Sequence, residues 1–331
     1  MNDTLLYQRV YGSLIGGIIG DAMGAPGEGK TWQQIEEAHG WVEDFEGVGT
    51  DDTVIKHILC QAIIAHDGDI TADEFAASFL KSKDKYRYWY IPVKNMFHKI
   101  ESGLELPVYA GMGNMQSSSS AMSISPMGLI NACNPRQAAL ETYDVAGLIH
   151  GGCSTFCRDG ACAMAAAVAE AMRPGATVDS ILDASTDYLH AASSKVMRDA
   201  IDTGLRMARD ASEYKAFREA YYASRLRDII SDSRETVPCA LALFYLAKGD
   251  ARQAILYAAN FGRDADTIAT MTGALVGAFH GVDALGEAWV RKVTEQLPEQ
   301  RDLALQLASV AVHKAERART AAAAVGKLRG E

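Results

Sequence analysis

The chain has 331 residues, of which 48% are hydrophobic and 22% charged, and its formal net charge is −10. This composition is typical of a globular protein, and a chain of this length can bury a large core without disulfides. The acidic balance argues against binding nucleic acid through its phosphates, because that requires clustered Lys and Arg. The first residues lack a basic stretch followed by a long apolar run, so we expect a cytoplasmic protein without a membrane span.

Helical periodicity or a helix-forming composition marks almost every long segment of the chain. The predicted helices cover residues 4–20, 53–65, 161–172, 178–190, 238–247, 267–280 and 302–328. Strand signals are weak, since no alternation of Val, Ile and Tyr is bounded by Asn-Gly or Asp-Gly turns. We therefore predict an all-α fold, a compact orthogonal helical bundle that forms one domain over residues 1–331. The helix over 267–280 is rich in Gly and Ala and should pack closely against a neighbour.

Two short acidic segments stand directly before predicted helices. Residues 49–53 read Gly-Thr-Asp-Asp-Thr, and residues 262–267 read Gly-Arg-Asp-Ala-Asp-Thr. One interpretation is helix capping, because Thr and Asp oxygens accept hydrogen bonds from free N–H groups at helix starts. Each segment, however, holds two carboxylates within three residues, and their charges repel unless a cation neutralises them. The alternative is a metal site for hard divalent cations, in which two ions would lie about 3.5–4 Å apart.

These two segments, together with a third, resemble the ADP-ribosylglycohydrolases. The third reads Gly-Asp-Ala-Met-Gly-Ala-Pro over residues 20–26 and is followed by Glu28. The family includes the dinitrogenase-reductase-activating glycohydrolase, the ADP-ribosyl-arginine hydrolases and the J1 crystallins. The resemblance runs from about residue 10 to residue 282, which leaves about 283–331 as a C-terminal helical extension.

The resemblance implies an all-α enzyme with two Mg²⁺ ions in a cleft, or Mn²⁺ ions in their place. The metal-ligand positions that carry over are Thr50, Asp51, Asp52, Asp264, Asp266 and Thr267. It also implies that ribose hydroxyls of the substrate complete the coordination, and that Glu28 or Asp264 orients or deprotonates a water. Asp21 lies in the same signature, where a helix cap, a hydrogen-bonding partner of the ligands and a direct role all stay open.

The chain departs from the family in the loop that approaches the substrate. Relatives often carry Gly-Asn-Gly, two or three residues and then Met-Arg, whereas Ser118 here replaces the Asn and Ser123 replaces the Arg. The candidate substrate-binding residues are Ser117, Ser118, Ser119, Ser120, Met122, Ser123 and His150. Losing a guanidinium removes a bidentate cationic donor, so either this loop binds the diphosphate differently or the substrate is not ADP-ribose. For His150, a structural hydrogen-bonding role is the alternative to lining the pocket.

The leading hypothesis is a hydrolase, a glycosidase that cleaves the bond at the anomeric carbon of an ADP-ribosyl group on a protein or small-molecule adduct. A second is an N-glycoside hydrolase of a smaller ribosyl metabolite that lacks the diphosphate. A third is a catalytically silent structural member, as the crystallins of the family suggest, which the full set of ligand positions disfavours. We expect a ribosyl or ADP-ribosyl substrate as the partner, no nucleic acid, no membrane, and a monomer or small homo-oligomer.

Overall fold

The structure is a computed structural model that describes residues 4–329, and these residues form α-helices joined by turns and short 3₁₀ segments. The described residues contain no β-strand beyond two isolated bridges, so the predicted all-α fold is confirmed. The helices are α1 (Leu5–Gly24), α2 (Trp32–His39), α3 (Asp51–Ala65), α4 (Ala72–Lys81), α5 (Ile91–Glu101), α6 (Pro107–Ala110), α7 (Ser125–Ile130), α8 (Pro135–Gly147), α9 (Thr155–Ala171), α10 (Val178–Asp187), α11 (Lys195–Ala211), α12 (Tyr214–Ser224), α13 (Ser233–Leu246), α14 (Ala251–Ala259), α15 (Ala265–His280), α16 (Glu287–Gln296) and α17 (Gln300–Leu328).

Each predicted helix is present, although some begin at other residues than the sequence pattern indicates. Helix α13 begins at Ser233, five residues before the predicted start at Pro238. Asp232 caps this helix, because its carboxylate accepts from the N–H of Arg234 at 2.8 Å. Pro238 therefore lies inside the helix, where it has no N–H to donate, and the capping signal outweighs the proline as a marker of the helix start.

Helices α1 and α15 pack antiparallel with their backbones in direct contact. A Cβ atom placed on Gly273 of α15 would lie 2.0 Å from the carbonyl oxygen of Gly16 in α1. The same close approach to the backbone of α15 or the turn after it is repeated along α1 at Gly12, Gly20 and Gly24. Because the two helices are antiparallel, the end of α1 with Asp21 lies beside the start of α15 with Asp266. This contact between small residues brings the motif at the end of α1 next to the acidic motif at the start of α15.

One hydrophobic cluster runs through the described helices, from Tyr7 in α1 to Val310 in α17. The first part of α17 joins this cluster, whereas the residues after Lys314 are mostly exposed. A continuous core fits the single domain that we predict, and the domain assignment stays a prediction. None of the helices in residues 4–329 combines the length and the apolar character needed to cross a bilayer.

Candidate metal centre and active site

The two acidic segments lie far apart in sequence and meet where α3 and α15 begin. Thr50 Oγ1 donates to Asp266 Oδ2 at 3.4 Å, and Thr267 Oγ1 donates to Asp52 Oδ2 at 3.3 Å. Each hydroxyl thus contacts a carboxylate of the other segment. Asp51 lines the same cleft as Asp52, Asp266 and Thr267. The structure therefore brings together the ligand positions that the two motifs predict.

Glu28 is the third component of the site and lies in the turn that follows α1. Carboxylate oxygens of Glu28, Asp264 and Asp266 all lie within 4.8 Å of one another. The turn after Glu28 exchanges two main-chain hydrogen bonds with Arg263, at 2.8 and 2.7 Å, which fixes this approach. Glu28 is exposed while the two Asp residues are buried, so its carboxylate is the one that solvent reaches most easily.

Helix capping does not account for all of these carboxylates. Thr50 caps α3, since its Oγ1 accepts from the N–H of Asp52 at 3.4 Å. Asp264 precedes α15, but its side chain makes no capping hydrogen bond. Among the described residues, Asp264 Oδ2 and Asp52 Oδ1 are buried oxygens without a hydrogen-bond partner. Buried polar atoms normally have partners, so these two oxygens fit a divalent cation with oxygen ligands.

Burial and mutual repulsion raise the pKa values of the clustered carboxyl groups. The pKa of Asp51 rises to about 7, through burial first and then through the charges of neighbouring carboxylates. The pKa of Asp264 rises to about 8, through burial and the charge of Glu28. For Asp52 and Asp266, burial and nearby carboxylates raise the pKa well above the ordinary range. Such a cluster favours a bound divalent cation, because the cation stabilises the charged form of each carboxylate.

Lys56 is a buried cation beside this cluster that the motifs did not indicate. Only 1% of it is exposed, and its Nζ donates to Thr270 Oγ1 at 3.1 Å. Burial lowers the pKa of Lys56, and the charges of Asp21 and Asp52 oppose that shift. Lys56 follows Asp52 by four residues, a spacing that places both side chains on one face of α3 and that could have revealed it. Lys56 therefore offsets part of the negative charge of the site from inside the protein.

Asp21 holds the start of α3 and does not line the cleft. Its carboxylate accepts from the N–H of Thr50 at 2.9 Å, from the N–H of Thr53 at 3.0 Å and from the hydroxyl of Thr53 at 2.6 Å. Gly49 passes directly over this carboxylate with φ +98°, and a Cβ there would lie 2.3 Å from Asp21 Oδ2. Of the roles that the sequence left open, the contacts favour the hydrogen-bonding partner of the ligand segment.

Asp21→Ala is expected to lower the free energy of unfolding by about 2 kcal/mol, because buried donors at the start of α3 lose their acceptor. It should also weaken Mg²⁺ binding about tenfold, since partners that orient metal ligands have effects of that size. Urea unfolding and isothermal titration calorimetry measure the two changes. An unchanged Mg²⁺ affinity would show that Asp21 does not position the ligands.

The candidate substrate-binding loop at residues 117–123, called the serine loop below, places only some of its side chains in the cleft. Ser118, Ser119 and Met122 line it. Tyr90, Ile230 and Ser231 line it as well, and no sequence pattern indicated Ile230 or Ser231. Ser118 Oγ also donates to the main-chain carbonyl of Ser231 at 2.9 Å, which joins two cleft walls.

The remaining serines of the loop face the interior together with His150. His150 Nε2 hydrogen-bonds Ser117 Oγ at 3.1 Å, and its Nδ1 hydrogen-bonds Ser120 Oγ at 2.5 Å. Ser123 Oγ donates to the carbonyl of Ser119 at 3.3 Å. Complete burial lowers the pKa of His150 to about 3, so its imidazole is neutral at physiological pH. None of Ser117, Ser120, Ser123 and His150 lines the cleft, and their contacts favour the structural role for His150.

No Lys or Arg stands among the described residues that line the cleft. The lining residues are Glu28, Asp51, Asp52, Tyr90, Ser118, Ser119, Met122, Ile230, Ser231, Asp264, Asp266 and Thr267. A carboxylate-rich cleft suits cations, and an anionic group would be repelled unless cations stood between it and the carboxylates.

The helical architecture is shared with a solved protein. A chain of an ADP-ribosylglycohydrolase-related protein complex superposes with a TM-score of 0.69 at 22% sequence identity, over 92% of this chain and 99% of that chain. This similarity establishes the class of fold, an all-helical glycohydrolase-type architecture. The ADP-ribosylglycohydrolase family model matches residues 2–321, well beyond the 10–282 that the motifs indicate, and the chain belongs to this family.

Similar proteins occur in bacteria, archaea and vertebrates. The uncharacterized protein YegU of Escherichia coli (strain K12) is 26% identical over 308 aligned residues, and the match covers 85% of this chain and 90% of YegU. An uncharacterized protein of Archaeoglobus fulgidus is 27% identical over 306 residues, covering 87% and 92% of the two chains. The ADP-ribosylhydrolase ARH3 of Xenopus tropicalis is 23% identical over 319 residues, covering 85% and 89%.

Proposed function

We propose that this protein is a divalent-cation-dependent glycohydrolase that hydrolyses the bond at the anomeric carbon of an ADP-ribosyl group on a protein or small-molecule adduct. The observation that carries the proposal is the convergence of Glu28, Asp264 and Asp266 oxygens within 4.8 Å on one cleft of a chain from this family. The cytoplasmic location and the state of monomer or small homo-oligomer stay predictions.

The metal ligands in this proposal come from the two helix starts. They are Thr50, Asp51, Asp52, Asp264, Asp266 and Thr267. The buried, unpartnered oxygens of Asp52 and Asp264 support cation binding at this site. The proposal places two cations there, with Mg²⁺ as the ion and Mn²⁺ as the alternative. When bound, the cations would supply Lewis acidity and fix the ribose hydroxyls.

Glu28 is the residue that we assign as the base. Cleavage at C1 of ribose builds positive charge on the ring, which the surrounding carboxylates favour electrostatically. The oxygen of a water forms the new bond to C1 while the bond to the leaving group breaks. The leaving group departs with the electron pair of that bond and takes up a proton from solvent. Glu28 takes a proton from that water at a carboxylate oxygen, because it is the exposed carboxylate of the cluster. Asp264 is buried and is assigned to holding a cation.

A second candidate is hydrolysis of a smaller N-riboside without a diphosphate. Two observations favour it: among residues 4–329 no Lys or Arg lines the cleft, and Ser117, Ser120 and Ser123 make internal contacts instead of facing the cleft. A diphosphate would then have to bind through the cations and through groups outside the lining. The two candidates share the metal centre and the reaction at C1, and they differ in the size and charge of the substrate.

The deciding experiment incubates the protein and Mg²⁺ with ADP-ribosyl-arginine, ADP-ribosyl-serine, ADP-ribose-1″-phosphate and simple N-ribosides. Mass spectrometry identifies the products, and Asp266→Ala is the inactive control. ADP-ribose released by the wild type but not by the variant would support the main proposal and name the leaving group. Activity on simple ribosides alone would favour the second candidate. Release of AMP from the ADP-ribosyl compounds would contradict both, since it reports cleavage at phosphorus in the diphosphate.

A further inference from the structure

Arg263 occupies a backbone conformation that favours glycine. It stands between Gly262 and Asp264 in the second acidic segment, with φ +65°. An L-residue in this left-handed region costs roughly 1 kcal/mol relative to glycine. A residue other than Gly, Asn or Asp held there indicates that its side chain makes contacts that compensate for the strain.

The side chain of Arg263 forms a bidentate ion pair with a fully buried carboxylate. Its Nε lies 2.8 Å from Glu235 Oε1, and its Nη2 lies 3.1 Å from Glu235 Oε2. Glu235 has no exposed surface and sits in the first turn of α13. Parallel hydrogen bonds of this kind fix the relative orientation of the two groups as well as their distance.

The same two side chains also hold the loop that precedes α13. Arg263 Nη2 donates to the carbonyl of Arg227 at 2.5 Å, and the N–H of Arg227 donates to Glu235 Oε2 at 2.6 Å. Ile230 and Ser231 of this loop line the cleft. Neither Arg263 nor Glu235 lines the cleft, so the pair acts on it only through its neighbours.

The main chain of Arg263 completes the connection to the third segment of the site. The N–H of Gly29 donates to the carbonyl of Arg263 at 2.8 Å, and the N–H of Arg263 donates to the carbonyl of Lys30 at 2.7 Å. Arg263 thus joins three parts of the site. These are the turn that carries Glu28, the segment that carries Asp264, and residues 227–231, which form one wall of the cleft.

We propose that Arg263 and Glu235 form a positioning pair, which holds the wall at residues 227–231 against the segment that carries Asp264. The pair thereby sets the width of the cleft where the substrate would bind. This inference rests on the proposed glycohydrolase function. The side chains of Arg263 and Glu235 contact the wall at residues 227–231, whereas separate contacts at the starts of α3 and α15 hold the metal ligands. Loss of the pair therefore loosens substrate binding and leaves the metal centre intact.

The test compares Arg263→Gly with the double variant Arg263→Gly/Glu235→Gln. Glycine keeps the left-handed backbone without strain, and glutamine avoids leaving a buried carboxylate without a partner. In the double variant, hydrogen exchange at residues 227–231 should accelerate about tenfold, because local opening there becomes easier. The Kd for Mg²⁺, measured by calorimetry, should stay within about threefold of the wild type, since all ligand side chains remain. With a cleaved substrate, kcat/KM should fall about tenfold, mainly through KM.

Arg173→Ala is the matched control, because it removes another Arg–Glu pair, with Glu170, that is remote from the cleft. It should change neither exchange at 227–231 nor kcat/KM. Arg263→Lys keeps the positive charge but lacks the planar guanidinium that donates two parallel hydrogen bonds. Its exchange at 227–231 should therefore lie between that of the wild type and that of the double variant. Wild-type exchange in the double variant, acceleration spread over the whole chain, or an Mg²⁺ Kd weakened more than about tenfold would overturn the proposal. Because exchange and Mg²⁺ affinity need no substrate, they judge the pair even if the wild type cleaves none of the compounds.

Discussion

Asp266→Asn is expected to remove Mg²⁺ binding and to lower kcat by about a thousandfold, because metal-ion stabilisation of the transition state is worth several kcal/mol. The same change should leave the protein in EDTA equally stable or more stable. Asp266 is buried and stands among carboxylates, and burial together with the charges of Asp264 and Glu28 raises its pKa. An amide of the same shape removes one of these repelling charges and keeps an oxygen that can accept from the N–H of Thr267.

Calorimetric unfolding in EDTA and in Mg²⁺ separates the two effects of this substitution. At a Mg²⁺ concentration of 100 times Kd, the wild type should gain about 2.7 kcal/mol of stability for each bound cation and the variant nothing. Asp210→Asn, which removes an exposed carboxylate from α11, is the control and should gain as much as the wild type. Equal stabilisation of Asp266→Asn by Mg²⁺ would contradict the metal assignment, and a large loss of stability in EDTA would show that Asp266 is needed for folding instead.

Residue patterns alone gave the candidate site as two separate halves, and only the family resemblance implied that they share one cleft. Two carboxylates within three residues before a helix exceed what capping requires, so each acidic segment by itself left a metal site as the alternative to helix capping. Their meeting depends on the packing of α1 against α15, and spacing along the sequence carries no information about which helices touch. Glycines at intervals of four in α1 (Gly12, Gly16 and Gly20) and in α15 (Gly273 and Gly277) were a signal for close packing. The sequence showed that α15 needed a close neighbour but did not show that this neighbour was α1.

The serine loop shows where prediction from sequence stops. Its side chains follow no helical or strand period, so sequence alone does not separate Ser118 and Ser119, which face the cleft, from Ser117 and Ser120, which contact His150. The wall at Ile230 and Ser231 was missed for a similar reason. It lies in a loop whose position depends on tertiary contacts between residues that no local pattern connects.

The largest effect on stability is expected for Gly273→Ala. The added Cβ would lie 2.0 Å from the carbonyl oxygen of Gly16 and 2.7 Å from its carbon, and both are backbone atoms that cannot rotate away. The two helices must separate, and overpacking of this kind costs about 3 kcal/mol or more. Because α1 carries Asp21 and α15 carries Asp266, the separation should also weaken Mg²⁺ binding.

Gly147→Ala is the matched control for this substitution. A Cβ on Gly147 would contact only the side chain of Arg158, at 3.8 Å, and the residue ends α8 without a positive φ. Urea unfolding should show an unchanged or slightly higher stability for it, since alanine is favoured over glycine in helices by roughly 0.5–1 kcal/mol. If Gly273→Ala instead unfolds at the same urea concentration as the wild type, the backbones of α1 and α15 are not in direct contact. The packing that aligns the two halves of the metal centre would then need another explanation, because the same kind of backbone contact joins Gly24 at the end of α1 to Ala265 at the start of α15.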